Sequence, residues 1–217
     1  DLGIDKTQEL KNNILKLLPA GGHVTQVNSV GPTVGKQLLT NGILAVIFSL
    51  IFTMIYIAFR FEYRFAFSAA LALIHDPILI LGIFSFFQLE FNMVVLTAVL
   101  TVIGYSLNDT IVVYDRVREN FRKMRKASPK EVMDASINQT LSRTIMTSGL
   151  TLIVVIILYF FGGDVVHGFS LALIIGIVIG TYSSIYVAGS LAIAFGLDRT
   201  SLLPRAKPEF KEGEDIL

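Results

Sequence analysis

The stretch Gly104-Tyr-Ser-Leu-Asn-Asp-Thr-Ile-Val-Val-Tyr-Asp-Arg-Val-Arg-Glu-Asn120 decides how the chain is read. Its first half belongs to an apolar run that begins at Met93, so Asn108 and Asp109 fall where a bilayer would be. Its second half turns basic, as a helix does on leaving a membrane. An ionisable side chain at membrane depth costs about 3 kcal/mol or more, and by default marks function. At helical spacing Thr97, Thr101, Gly104, Asn108 and Asp115 share one stripe, with Tyr105 and Asp109 beside it. Two readings of Asp109 stand side by side. One is a functional carboxyl; the other is a carboxyl kept neutral by hydrogen bonds to Asn108 or Thr110, serving helix packing alone.

Composition supports membrane depth. Of 217 residues, 53% are hydrophobic and 16% charged. A soluble domain carries about a quarter of its residues as charges. The shortage here comes in blocks, the pattern of a chain that crosses a membrane several times. Cysteine is absent, which excludes disulfides and thiolate metal sites. Val30-Gly-Pro-Thr-Val-Gly-Lys36 only echoes a phosphate-binding loop, because the Lys-Ser/Thr end is missing. With no metal-ligand cluster and no nucleophile–base arrangement, the sequence implies no cofactor, no metal and no enzymatic chemistry.

Five apolar segments lie at about 38–59, 66–87, 92–114, 144–162 and 168–195. Each is near the twenty residues that a hydrocarbon layer of about 30 Å requires. Arg60 and Arg64 separate the first two, while Arg116, Arg118, Arg122, Lys123, Arg125, Lys126 and Lys130 lie between the third and fourth. The turns Gln88–Asn92 and Gly162–Gly168 contain no Lys or Arg. The positive-inside rule therefore puts the basic loops and the C-terminus in the cytoplasm and residues 1–36 outside it.

Residues 1–36 are soluble in character. Leu10, Ile14, Leu17 and Leu18 predict a helix over Thr7–Leu18, and alternation over His23–Val30 predicts a strand. Together they read as the C-terminal part of an exported α/β domain, so the chain is expected to be a fragment lacking an N-terminal portion. Gly31–Gly35 reads as a bend into the membrane, 37–197 as the membrane domain, and 198–217 as a polar cytoplasmic tail.

Three further constellations stand out. His75-Asp76-Pro77 sits in the middle of the second apolar segment, either as a helix kink whose loosened backbone is satisfied locally or as a proton relay. Ser128-Pro-Lys-Glu131 starts a helix, apolar on one side and expected to lie along the inner membrane surface. That helix leads through Asn138–Thr144 to Arg143, which at this border reads as an arginine snorkelling into headgroups. Gly176, Gly180 and Ser184 form a small-residue row of the kind that lets helices approach closely.

Several of these motifs resemble the SecF family. They are Val30–Lys36, Phe59–Phe65, Ile74-His-Asp-Pro-Ile78, the Gly104–Asn120 stretch, Gly162-Gly, Gly168-Phe-Ser and Ser183–Tyr186. That family is the smaller partner of the bacterial SecD–SecF complex and belongs to the resistance–nodulation–division superfamily of proton-driven transporters. The resemblance implies an all-α polytopic protein of the bacterial cytoplasmic membrane, six spans in the family and five in this chain. It implies partnership with SecD, the SecYEG translocon, the translocating polypeptide and membrane lipids, and none with nucleic acid. The implied work is to use the proton-motive force in late steps of protein export. Asp109 then matches the residue proposed to bind the travelling proton, Arg143 the arginine that answers its charge, and His75, Asp76, Pro77 and Asn108 a possible relay or kink. Two other readings remain: a self-sufficient proton-coupled exporter of lipids or small molecules, and a purely structural translocon subunit.

Overall fold

The computed structural model describes residues 4–17, 32–61 and 63–197. Two compact units divide the chain, Asp1–Ile47 and Phe48–Leu217. The strand expected over 23–30 and the tail expected over 198–217 lie outside the described residues.

In the first unit, helix α1 (Ile4–Leu17) starts three residues earlier than the apolar spacing suggests and carries Leu10, Ile14 and Leu17 exposed. Helix α2 (Pro32–Arg60) begins at the proline itself, so Pro32–Gly35 is helical rather than a bend. The first turn of a helix needs no N–H from that position, and the fixed φ of proline suits it.

The second unit holds the end of α2, then α3 (Tyr63–Phe86), α4 (Met93–Lys123), α5 (Pro129–Phe161), α6 (Asp164–Tyr182), a π-turn (Ser183–Val187) and α7 (Ala188–Ala194). Among the described residues five helical stretches are long and apolar enough to cross a membrane: Thr40–Arg60, Tyr63–Phe86, Met93–Lys123, Pro129–Phe161 and Asp164–Ala194. Local chemistry fixes their ends. Asn92 caps α4 by accepting from the amides of Val94 and Val95, both at 3.0 Å. Ser128 and Glu131 form a reciprocal capping box on α5, with Pro129 in the first turn. Between α5 and α6 the chain reverses at Gly163, whose φ of 75° only glycine adopts freely.

One expectation needs correction. The segment opened by Ser128 is not a separate helix on the membrane surface; it runs unbroken into the fourth span as α5. Its apolar residues Val132 and Met133 join a protein core with Val117, Phe121, Ala188 and Ala192. Packing against protein removes the same apolar area from water that a lipid surface would, and no proline after Pro129 interrupts the helix before Phe161. At about 1.5 Å per residue, α4 and α5 are both too long for the hydrocarbon layer alone, so their basic ends extend beyond it.

The core is split. One apolar cluster contains Phe65, Ala69 and Ala72 of α3, Val113, Tyr114 and Val117 of α4, and Ala188 and Ala192 of α7. The other contains Ile80 and Phe84 of α3, Val95, Val99 and Val102 of α4, and Leu173 and Ile177 of α6. On each helix the two are separated by buried polar residues: Asp76 on α3, Ser106, Asp109 and Thr110 on α4, Ser148 on α5, Ser184 on the π-turn. A polar layer thus crosses the helix bundle between two apolar ones.

Candidate functional site

The polar layer has two halves. In the first, Asp109 of α4 is buried at 4% exposure, and Ser148 Oγ of α5 donates to its Oδ2 at 3.2 Å. Thr181 Oγ1 of α6 lies 2.9 Å from Ser148 Oγ and donates to the Ile177 carbonyl of its own helix at 2.7 Å. One hydroxyl pair therefore ties three helices to one carboxylate. Hydroxyls in helix interiors usually return to their own backbone, and α5 shows this habit at Ser136, Thr140 and Thr147. Ser148 instead points its proton at Asp109.

Arg143 comes near this carboxylate without touching it. Its charge acts on Asp109, yet among the described residues no ion pair joins the two. It lines a cleft of about 420 Å³ with Val112, Asp115, Arg116, Glu119, Gln139 and Thr140, on the side where α4 and α5 carry their basic residues. Between cleft and carboxylate stands Thr144, 1% exposed, whose Oγ1 has no hydrogen-bond partner. Ser136, Thr140, Thr144 and Ser148 are buried at intervals of four on α5, a hydroxyl seam leading from cleft to carboxylate.

In the second half, Asp76 of α3 is 0% exposed. Ser106 Oγ donates to its Oδ2 at 2.6 Å, and His75 Nδ1 lies 3.2 Å from Oδ1. Ser184 Oγ, carried by the π-turn, donates to the Ser106 carbonyl at 2.9 Å and accepts from Thr110 Oγ1 at 3.0 Å. Single π-turns inside helices are rare and often sit at functional positions. Helix α3 continues on both sides of Pro77, which denies the Leu73 carbonyl its usual donor.

The other residues singled out in the sequence are placed as follows. Thr97, Thr101, Gly104, Asn108 and Asp115 do share one stripe, and that whole stripe is exposed. Asn108 accordingly faces away from Asp109, and neither it nor Thr110 holds that carboxyl; Ser148 does. Gly176 packs so closely on Val102 that an added Cβ would collide with it. At Gly180 an added Cβ would lie 3.1 Å from Ser106 Cβ. Ser184 is a hydrogen-bonding member of the polar layer as well as a small residue. Among the described residues no group of three His, Cys, Asp or Glu is placed to hold a metal.

Ser148, Thr181, Thr144 and Ser106 belong to this layer without being marked by charge in the sequence. A signal existed for three of them: hydroxyls spaced by four through an apolar run on α5, and Ser106 one turn before Thr110 on α4.

These features define a polytopic α-helical membrane protein with two buried carboxyls in a hydroxyl-lined layer. The family model for the C-terminal region of the protein export membrane proteins SecD and SecF matches residues 11–198. The chain belongs to that family. It is 56% identical over 179 residues to the protein translocase subunit SecF of Vibrio alginolyticus, covering 82% of this chain and 57% of that protein. With SecF of Escherichia coli O157:H7 it shares 46% over 212 residues, 96% of this chain and 65% of that one. The chain thus spans between about half and two thirds of the length of these relatives. The crystal structure of SecDF from Thermus thermophilus, described as a translocon-associated membrane protein, superimposes with a TM-score of 0.81 at 42% identity. That match covers 89% of this chain and 27% of the other.

Proposed function

We propose that this chain is part of a bacterial protein-export subunit that works beside a SecD-like partner at the SecYEG translocon. It harnesses the proton-motive force to promote late steps of polypeptide crossing, and performs no covalent catalysis. The observation that carries this reading is Asp109, a carboxyl buried at membrane depth and held by Ser148, with the Arg143 charge close by but uncommitted.

The chemistry follows from charge in a low-dielectric layer. A proton on Asp109 leaves it neutral, and Arg143 stays in the cleft with Asp115 and Glu119. When the proton leaves inward, the carboxylate becomes an uncompensated buried charge and draws on Arg143. Each proton brings about 2.3 kcal/mol per 100 mV of membrane potential. Because Ser148 and Thr181 join α4, α5 and α6 at that carboxyl, a change in its charge is felt by three helices at once.

Orientation and partner follow the same logic. The basic ends of α4 and α5 and the C-terminus face the cytoplasm, and residues 1–36 the periplasm. The exposed stripe of Thr97, Thr101, Gly104 and Asn108 supports a second helical subunit on that face, since small and weakly polar residues suit helix contact better than lipid. Names carried by relatives, SecF and the fused SecDF of Brucella abortus biovar 1, support a SecD-like subunit as that neighbour.

The test is release of a secreted protein from inverted membrane vesicles depleted of the endogenous complex and resupplied with the full-length protein and its partner. Proton-gradient-dependent release returns if the reading holds. Release that returns without any gradient, or does not return at all, overturns it.

A further inference from the structure

Asp109 accounts for one half of the polar layer and leaves the other unexplained. Asp76 is the most enclosed carboxyl among the described residues, at 0% exposure. A lone carboxylate in such a place is costly unless it is paired or protonated. Its partners are few. The Ser106 hydroxyl donates at 2.6 Å, and the one basic group within reach is His75 at 3.2 Å. On α4 the ionisable side chains Tyr105, Asp109 and Tyr114 turn to Thr151, Ser148 and Ser68. The ionisable residues of α6 and the π-turn, namely Asp164, His167, Tyr182 and Tyr186, are exposed, and α7 contains none. No Lys or Arg forms an ion pair with Asp76 among the described residues.

The imidazole differs from the carboxyl in one decisive respect: the His75 side chain is 33% exposed. One end of the pair lies at the surface of this chain and the other is sealed. We propose that His75 and Asp76 form a second proton-binding site, in which the sealed carboxyl receives its proton from the open imidazole across their hydrogen bond. The transfer balances simply. The Nδ1–H bond of an imidazolium breaks, an O–H bond forms on Asp76 Oδ1, and an ion pair becomes a neutral pair. Net charge in the layer is unchanged by that step, so it avoids the cost of burying a new charge. A proton taken up afterwards by His75 Nδ1 gives the pair its second proton.

The surroundings are built to respond. The carboxyl oxygen not facing His75 accepts from Ser106, whose carbonyl accepts from Ser184 on the π-turn. Pro77 follows Asp76 directly, so α3 lacks a backbone hydrogen bond at this level. Gly180 leaves Ser106 and Asp76 the space that a side chain would fill. Protonation at Asp76 therefore acts beside two places, at Pro77 and at the π-turn, where helical backbone hydrogen bonding departs from the α-helical pattern. A hydrogen-bonded staple would need none of this, because an asparagine accepts from Ser106 equally well.

This site stands apart from Asp109, and one experiment separates the two. The full complex is placed in liposomes and its infrared difference spectrum recorded after a pH jump, in the carbonyl-stretch region of protonated carboxylic acids. Among the bands, one is expected to be lost in Asp76→Asn and a different one in Asp109→Asn. Ser106→Ala should move only the Asp76 band, to higher frequency, since its carboxyl loses a donor. His75→Gln should slow the appearance of that band by about a hundredfold, the scale of a positioned proton donor. These two variants keep the carboxyl and report on it even if Asp76→Asn fails to assemble. A spectrum in which neither Ser106→Ala nor His75→Gln alters any band, or in which Asp76→Asn removes none, overturns the proposal. A spectrum with the Asp76 band present and no Asp109 band would uphold this site and defeat the Asp109 reading instead.

Discussion

Ser148 Oγ donates to Asp109 Oδ2 at 3.2 Å, while Arg143, five residues earlier on the same helix, makes no ion pair with that carboxylate. A neutral donor thus occupies the place a permanent counter-ion would take. A carboxyl locked to a guanidinium gains little from exchanging its proton; one held by a hydroxyl remains free to do so.

Ser148→Ala removes the sole described donor to Asp109. A hydrogen bond to a charged group is worth about 1.5–3 kcal/mol, so proton-dependent release from vesicles is expected to fall by about tenfold or more. The complex should still assemble, since the change removes one oxygen from the helix face. Assembly is read from co-purification of the partner, and release from protease accessibility.

Thr144→Val tests the unpartnered hydroxyl between cleft and carboxylate. Removing a buried hydroxyl that lacks a partner, at constant shape, should raise stability by about 1 kcal/mol. Thermal denaturation of the detergent-solubilised protein measures this directly. A lower midpoint in the variant contradicts the assignment.

Gly176→Ala puts a methyl group into Val102 at the crossing of α4 and α6. Overpacking of this kind costs about 1–3 kcal/mol. The matched control is Gly149→Ala, where nothing lies within 4 Å of the added carbon. There the loss of glycine flexibility should stabilise α5 by up to about 1 kcal/mol. Denaturation midpoints of the two variants should move in opposite directions.

The fold was legible because apolar blocks of span length are a strong signal, and sorted Lys and Arg residues mark the loops between them. The polar layer was half legible. Asp76 and Asp109 stood out as charges in apolar surroundings, whereas Arg143 read as a border arginine until the family resemblance gave it a role. Ser148 did not stand out, because a hydroxyl in a membrane helix is ordinarily satisfied by its own backbone, as Thr181 is by Ile177, and only tertiary contact shows where its proton points. The same limit hid the destination of the α5 start. One-sided apolar spacing tells that a face is buried, and does not tell whether lipid or protein buries it.

Glu131 supplies a pH-dependent element away from the membrane. Its carboxylate accepts from the Ser128 backbone amide, which holds it below the usual glutamate range. A depressed folded-state value means the stabilisation is present above the ordinary glutamate pKa and is lost as pH falls through the depressed one. Amide protection in the first turn of α5 should therefore decrease on acidification from about pH 5 to pH 3. In Glu131→Gln that decrease should be blunted, as hydrogen-exchange mass spectrometry would show.

Coupling of proton flow to export through the charge state of Asp109 can be tested on its own. Its most direct test is proton-dependent release of a secreted protein from vesicles containing the complete complex, with and without Asp109→Asn. Release is expected to collapse to the level seen without a proton gradient while the complex still assembles. Unchanged release at full membrane potential would contradict it and leave the chain a structural subunit.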